Sequence, residues 1–246
     1  MQYTLKKSLG QHFLVDDNIS KAIADQVAIL LPQRLVEIGP GGGALTQLVM
    51  NIAPEFKAIE FDTEKVLYLN QAYPQLVGKV INDDFLTTAL PFNEPFVLVG
   101  NFPYNISTQI VFKILEWKEH VPFMIGMFQK EVAQRVAAKH GNKTYGVLSV
   151  LIQAFFEVEY LFDVAEGCFN PPPKVKSGVI RLFPKKEPLQ FSSEKNFFLL
   201  VKTAFNQRRK TLRNAVKGLF DPSELADPIF EKRAEQLSVQ IGRAHV

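Results

Sequence analysis

An apolar run, Phe96 to Val99, leads into Asn101-Phe102-Pro103-Tyr104. An amide oxygen on Asn101 and the backbone carbonyl of Phe102 can accept both hydrogens of an exocyclic amine. Such an amine, N6 of adenine for instance, is a poor nucleophile because its lone pair is delocalised into the ring. Two acceptors favour a more tetrahedral nitrogen and return that lone pair to the reaction. Pro103 fixes the turn and disfavours helical geometry at Phe102. Tyr104 can stack on a base, which contributes roughly 1–3 kcal/mol. Asn101, Phe102, Pro103 and Tyr104 are thus a candidate catalytic set for methylation of an amino group, with an ordinary turn as the plainer alternative.

A methyl donor must be held beside that turn. Val36-Glu37-Ile38-Gly39-Pro40-Gly41-Gly42-Gly43-Ala44 has the form of a strand ending in a glycine-rich turn that opens a helix, so a ligand can approach bare backbone at Gly39 and Gly41. Glu60 ends the next apolar run about 20 residues on, where a carboxylate can accept from ribose hydroxyls. Asp84 follows the third run and can accept from an adenine amine, and by spacing alone Asp83 is a near-equal candidate. The glycine spacing also fits the dinucleotide fingerprint, so a nicotinamide oxidoreductase is a rival reading. That rival leaves Asn101 to Tyr104 without a role. A sulfonium donor needs no acid–base dyad, since it brings its own leaving group, and the rate then comes from positioning and exclusion of water.

The elements that must position these residues follow from periodicity. Residues 18–31 place Ile19, Ile23, Val27 and Leu30 on one helical face after the capping candidates Asp17 and Asn18. Leu35 to Ile38, Lys57 to Glu60, Val77 to Ile81, Phe96 to Val99 and Phe123 to Met127 read as strands separated by helices. This alternation predicts a mostly parallel sheet covered on both faces. Near Tyr145 the pattern turns helical. Phe156 to Val164 and Val175 to Phe183 then read as antiparallel edge strands around Pro171-Pro172-Pro173. The stretch Pro184-Lys185-Lys186-Glu187-Pro188 reads as a linker, giving domains at 1–184 and 185–246, the second predicted helical over Glu194 to Phe220 and Pro222 to Leu237.

At 47% hydrophobic and 22% charged, the 246 residues have the composition of a globular protein rather than a disordered or fibrous one. No apolar run approaches the roughly 18 residues that span a bilayer, and no targeting segment is evident, so a cytosolic protein is expected. One cysteine, Cys168, excludes an intrachain disulfide. Four scattered histidines lack ligand spacing, so no metal site is expected. The net charge of +3 is unevenly spread: residues 185–246 hold 12 Lys/Arg against 7 Asp/Glu, and residues 1–184 hold 16 against 18. Lys202, Arg208, Arg209, Lys210, Arg213 and Lys217 lie between Val201 and Lys217 with no acid among them. Such a cluster suits a phosphate backbone, and a solvated basic helix is the bland alternative.

Taken together, the motifs resemble the ribosomal RNA adenine dimethyltransferases, in particular their small-subunit, KsgA-type branch. The resemblance runs from residue 5 to about 240. It rests on Lys6-Lys7-Ser8-Leu9-Gly10-Gln11-His12-Phe13-Leu14, the glycine turn, Asn101 to Tyr104, Gln129 to Ala133, Tyr145-Gly146 and Phe169-Asn170-Pro171-Pro172-Pro173-Lys174-Val175. The resemblance implies a class I, Rossmann-like α/β methyltransferase fold: a mostly parallel seven-stranded sheet with a small all-helical C-terminal domain. It implies S-adenosylmethionine as cofactor, contacted by Gln11, His12, Leu14, Gly39 and its turn, Glu60, Asp84 and Asn101. Asp84 is preferred over Asp83 on this ground alone. Phe169 becomes a second stacking candidate for the base, where by itself it reads as a core phenylalanine. The basic cluster falls in the small helical domain as an RNA-binding surface.

The implied substrate is a pair of adjacent adenosines in the 3′-terminal hairpin loop of small-subunit rRNA, within an assembling subunit, each dimethylated at N6. A monomer is the default expectation. Two further alternatives stand: a large-subunit rRNA dimethyltransferase of the macrolide-resistance type, and an assembly factor acting mainly by binding. Two departures stand out. Phe102 replaces the Leu or Ile common in the family, and the ending Ile241-Gly242-Arg243-Ala244-His245-Val246 does not resemble the family's final helix.

Overall fold

The structure, a computed structural model, describes residues 12–187, 189 and 191–239. The segment 1–11 and the ending 241–246, both singled out above, lie outside the described residues. By internal packing the chain forms two compact units, Met1–Ala133 with Glu159–Phe183, and Gln134–Val158 with Pro184–Val246. The boundary expected at 184/185 differs from this grouping, in which Gln134–Val158 falls with Pro184–Val246.

The first unit opens with the short strand β1 (Phe13–Leu14) and the helix α1 (Asp17–Ala28). Asp16, not Asp17 or Asn18, caps α1. Its carboxylate accepts from Asn18 N at 2.9 Å and Ile19 N at 3.4 Å, satisfying N–H groups that the first turn leaves free. Ile23, Ala24 and Val27 bury the apolar stripe that the spacing predicts. Then follow β2 (Arg34–Ile38), α2 (Thr46–Val49), β3 (Glu55–Glu60), α3 (Thr63–Ala72), β4 (Val80–Asn82), β5 (Val97–Asn101), α4 (Ser107–Glu116), β6 (Phe123–Gln129) and α5 (Lys130–Ala137). Beyond α6 (Val147–Phe155) come β7 (Phe156–Val164), β8 (Phe169–Asn170) and β9 (Ser177–Pro184).

Seven strands form one sheet in the order β4-β3-β2-β5-β6-β9-β7, with β2/β3, β3/β4, β2/β5 and β5/β6 parallel and β6/β9 antiparallel. Near-continuous apolar strands such as Leu35 to Ile38 are buried on both faces, as parallel strands between helices must be. Two details differ from expectation. β4 begins at Val80 rather than Val77, because Pro74–Leu76 forms a 3-10 turn and Gly78 adopts φ +79°. β9 inserts between β6 and β7, so of this pair β7 alone is the edge. The strand order reverses between β2 and β5, and open α/β sheets bind ligands at the carboxyl ends of strands at such a point.

A second, two-stranded sheet pairs β1 with β8, Phe13 opposite Asn170 and Leu14 opposite Phe169. Sequence periodicity gave no sign of this clasp, since two residues are too few to show a period.

In the C-terminal unit, α7 (Glu194–Asn206) is capped by Ser193 and followed by the short α8 (Leu212–Ala215). The expected helix over Pro222 to Leu237 is instead three 3-10 turns, Glu224–Ala226, Pro228–Glu231 and Ala234–Gln236. Pro228 holds Asp227 at φ −58°, ψ 133°, outside the helical region, and breaks the run. Likewise the stretch expected as one helix to Phe220 stops at Asn206, because Gln207 leaves helical geometry at φ −120°, ψ 48°.

Candidate active site

A cavity of about 360 Å³ opens where β2 and β5 diverge. Its wall brings together His12, Leu14, Gly39, Gly41, Glu60, Asp84, Asn101, Phe102, Pro103 and Tyr104 from five separate stretches of sequence. Gln11 lies outside the described residues. Phe169 is not in the wall: it is 3% exposed and belongs to the hydrophobic core, with its ring edge-on to Tyr104 at 6.4 Å.

The glycine turn forms the floor. Gly41 has φ +54°, and a Cβ there would stand 2.7 Å from Phe13 Cε1, so only glycine fits beneath that ring. Gly41 N–H donates to Glu60 Oε2 at 3.0 Å, and Asp62 N–H donates to Oε1 at 2.9 Å. Burial pushes the Glu60 carboxyl above its usual range, while the bonds from Asp62 and Gly41 pull it down. Each carboxylate oxygen keeps a lone pair for a diol. Asn82 ties the ends of β3 and β4 together through Nδ2 bonds to the Glu60 and Phe61 carbonyls at 2.9 and 3.1 Å. Asp83 and Asp84 both stand in the wall. Asp84 Oδ1 accepts from Leu86 N–H at 2.9 Å and Asp83 Oδ1 from Asp84 N–H at 2.8 Å.

At the carboxyl end of β5, Asn101 Nδ2 donates to the His12 carbonyl at 3.2 Å. That bond selects the amide orientation, so Oδ1 is left as the acceptor. Phe102 N–H continues the strand pairing to the Met127 carbonyl at 3.0 Å. The following turn closes through the Pro103 carbonyl, which accepts from Ile106 N–H at 3.3 Å and Ser107 Oγ at 3.2 Å. The Tyr104 hydroxyl hydrogen-bonds Ser177 Oγ, and its ring lies 5.2 Å from that of His12 at 33°. His12 Nδ1 in turn donates to the Pro171 carbonyl at 2.9 Å.

Four residues of consequence escaped the sequence reading. Glu37, 1% exposed, stands in the cavity wall with Oε2 unpaired among the described residues. Burial pushes its carboxyl up to about 8, and the Glu60 charge adds to the effect. Its signal was an acid inside an otherwise apolar strand. Phe61 and Phe85 also line the wall, and Phe61 is 59% exposed. An aromatic directly after the strand-end Glu60 was the available clue. Ser177 reaches Tyr104 only because β9 pairs with β6, Ser177 opposite Gln129, and no local pattern announces that.

Of the six cations expected to meet phosphate, Arg208 and Arg213 make bonds to backbone carbonyls within the C-terminal unit. Arg208 Nη2 donates to the Lys143 and Tyr145 carbonyls at 2.8 and 3.0 Å, and its Nε lies 3.6 Å from Glu235. Arg213 Nε donates to the Leu225 carbonyl at 3.0 Å and its Nη1 pairs with Glu231. Arg209, Lys210 and Lys217 are exposed. Among the described residues no group of three or more His, Cys, Asp or Glu is placed to hold a metal, and no helix is long and apolar enough to cross a membrane.

A seven-stranded sheet of this order, with a glycine turn, a strand-end glutamate and an acceptor asparagine around one crevice, defines a class I methyltransferase. The model of the ribosomal RNA adenine dimethylase family matches residues 2–240, and the chain belongs to that family. It is 53% identical over 240 residues to the ribosomal RNA small subunit methyltransferase A of Phocaeicola vulgatus, covering 96% of this chain and 86% of the relative. Among solved structures, a dimethyladenosine transferase from Plasmodium falciparum matches the fold with a TM-score of 0.78 at 24% identity, over 94% of each chain. The 23S rRNA methyltransferase ErmE matches with a TM-score of 0.71 at 25% identity, over 95% of this chain and 100% of the other. Family and fold exclude the nicotinamide reading and imply S-adenosylmethionine as methyl donor.

Proposed function

We propose that the protein transfers methyl groups to N6 of two adjacent adenosines in the 3′-terminal hairpin loop of small-subunit rRNA, giving N6,N6-dimethyladenosine during subunit assembly. The observation that carries this reading is the Asn101 amide. Its Nδ2 is tied to the His12 carbonyl, so Oδ1 stands as an acceptor beside the Phe102 carbonyl in a wall shared with the glycine turn. The 53% identity to a relative named for the small subunit, against 25% to a 23S rRNA enzyme, favours the small subunit as the substrate.

The residues present suit S-adenosylmethionine. The bare backbone at Gly39 and Gly41 admits the amino-acid end, Glu60 accepts from the ribose hydroxyls, Asp84 accepts from the adenine amine, and Phe61 and Phe85 offer apolar faces to the ring. Leu14 and His12 close the near side, with Gln11 as the expected further contact. When bound, the cofactor supplies an electrophilic methyl group and a neutral leaving group. Asn101 Oδ1 and the Phe102 carbonyl bind the N6 hydrogens and localise the nitrogen lone pair. Pro103 rigidifies the turn, and Tyr104, anchored by Ser177 and backed by Phe169, stacks on the base. The proton that N6 loses passes to water after the C–N bond forms, so no side chain needs a matched pKa. Arg209, Lys210 and Lys217, with Lys202 and the partly exposed Arg208 and Arg213, meet RNA phosphates and set affinity rather than site choice.

The test is incubation with methyl-labelled S-adenosylmethionine and unmethylated small subunits, large subunits or naked rRNA, followed by nucleoside mapping. Dimethyladenosine confined to the 3′-terminal loop of small-subunit rRNA is expected. Label in the large subunit would overturn the substrate assignment, and a bound pre-subunit with no methyl transfer would leave only the assembly-factor role.

A further inference from the structure

The geometry points to a positioning device beneath the acceptor turn: a bare patch formed by Gly100 and Gly126 receives the Phe102 ring and so fixes where the Phe102 carbonyl stands. The two glycines are paired directly across β5 and β6. A Cβ on Gly126 would overlap Phe102 Cε2 and lie 2.8 Å from Cδ2. One on Gly100 would lie 2.8 Å from Cε1 of the same ring and 2.6 Å from the Ile38 carbonyl. The ring thus straddles the pair, one edge over each glycine. It is 1% exposed, and on its outer side the Phe128 ring packs at 4.7 Å and 49°.

Few other side chains would fill that patch. An aromatic ring occupies the volume that two missing Cβ atoms leave, while Leu or Ile is smaller and differently shaped. Interiors are packed too tightly for such a difference to pass unnoticed. The ring belongs to the residue whose carbonyl is the proposed amine acceptor, and Phe102 N–H is pinned to the Met127 carbonyl at 3.0 Å. The seated ring and the N–H bond to β6 therefore restrain, from two sides, the residue that carries the acceptor carbonyl. A shift of the ring must be absorbed at the 102–103 turn, and near-attack geometry is lost over displacements of about 1 Å. Gly100 and Gly126 are positioning residues in this scheme and touch neither substrate nor cofactor.

The inference rests on the proposed role of Phe102 as an acceptor in methyl transfer. Its test compares Gly126→Ala, Phe102→Leu and the double variant in single-turnover methylation of small subunits, with cofactor affinity measured by titration and folding by thermal unfolding. Gly126→Ala is expected to lower the transfer rate about 100-fold with cofactor Kd changed less than about threefold, since a 1 Å misplacement costs on that order. The double variant is expected to regain at least about tenfold over Gly126→Ala, because the smaller Leu leaves room for the new methyl. Phe102→Leu alone is expected to lose about tenfold in rate with KM for the subunit unchanged, and it reads the same device should Gly126→Ala fail to fold. A double variant no faster than Gly126→Ala, or Phe102→Leu at the wild-type rate, would overturn the inference. If the wild-type protein itself transfers no methyl group to any rRNA, the functional reading fails instead.

Discussion

Arg208 and Arg209 are neighbours of equal charge, and the structure separates their work. Arg208 donates two bonds from Nη2 to the Lys143 and Tyr145 carbonyls and pairs with Glu235 at 3.6 Å, within the C-terminal unit. Arg209 is exposed, with no such bond among the described residues. Replacing Arg208 with alanine removes two charge-assisted bonds, each worth about 1.5–3 kcal/mol where water is excluded. The side chain is 42% exposed, and that exposure roughly halves the sum, to about 1.5–3 kcal/mol. The Glu235 pair adds at most about 1 kcal/mol. A loss near 3 kcal/mol lowers the unfolding midpoint by about 6–12 °C for a chain of this size.

Arg209→Ala should leave that midpoint within about 2 °C, as surface substitutions change stability by less than about 0.5 kcal/mol. It should instead weaken RNA binding and reduce the slope of log affinity against log salt by about 1. The assays are differential scanning fluorimetry and rRNA binding at several salt concentrations. An Arg208→Ala protein that melts with the wild type and loses only salt-dependent affinity would refute the division of labour. So would an Arg209→Ala protein with an unchanged salt slope.

Glu37, its carboxyl pushed up to about 8 from an ordinary 4.5, binds a proton in the folded state that the unfolded chain releases. Its stabilising share is complete below 4.5 and is lost as pH rises through 8; thermal unfolding from pH 5 to 9 should show that decline flattened by Glu37→Gln, and an unaltered profile would exclude a protonated Glu37. Tyr104→Ala should cut kcat/KM about 10- to 100-fold through lost stacking, whereas Tyr104→Phe, which gives up only the Ser177 bond, should stay within about fivefold; equal losses in the two would move the ring's contribution to the hydroxyl. Gly41→Ala should raise the cofactor Kd by at least about tenfold, because its φ of +54° costs a Cβ-bearing residue about 1–2 kcal/mol and the methyl would collide with Phe13. Isothermal titration decides it, with wild-type affinity as the contrary result.

The parallel core was legible because its strands are short apolar runs between helical patterns, and those patterns survive without tertiary information. The floor of the cavity was legible for the same reason, since Gly39, Gly41 and Glu60 sit at strand ends that periodicity locates. What stayed hidden depends on distant pairing. The β1/β8 clasp joins residues about 157 apart, as in Phe13 with Asn170, through two residues on each side. Ser177 lies 73 residues from the Tyr104 it anchors. Charge counting over residues 202–217 could not show that Arg208 and Arg213 also donate to backbone carbonyls, because in sequence every guanidinium looks alike. The residues after Asp221 form short turns rather than the expected helix because Pro228 restricts Asp227 to extended geometry.

For Asn101, Tyr104 and Glu60, the part of the side chain that faces the cavity is oriented by a hydrogen bond that the same side chain makes within the protein. Asn101 Oδ1 has no partner among the described residues because Nδ2 takes the bond to His12, and the Tyr104 ring is fixed because its hydroxyl is held by Ser177. The Glu60 carboxylate is aimed by Gly41 and Asp62. Preorganisation of this kind removes the reorganisation that water would otherwise demand at the moment of reaction. His12 carries a double load, since it lines the cavity, holds Asn101 and is itself tied to the Pro171 carbonyl. It directly precedes the strand clasped to Phe169–Asn170. The proposed amine acceptor and the cavity wall are therefore completed by one short segment, so a change that loosens Phe13 and Leu14 from β8 must disturb both.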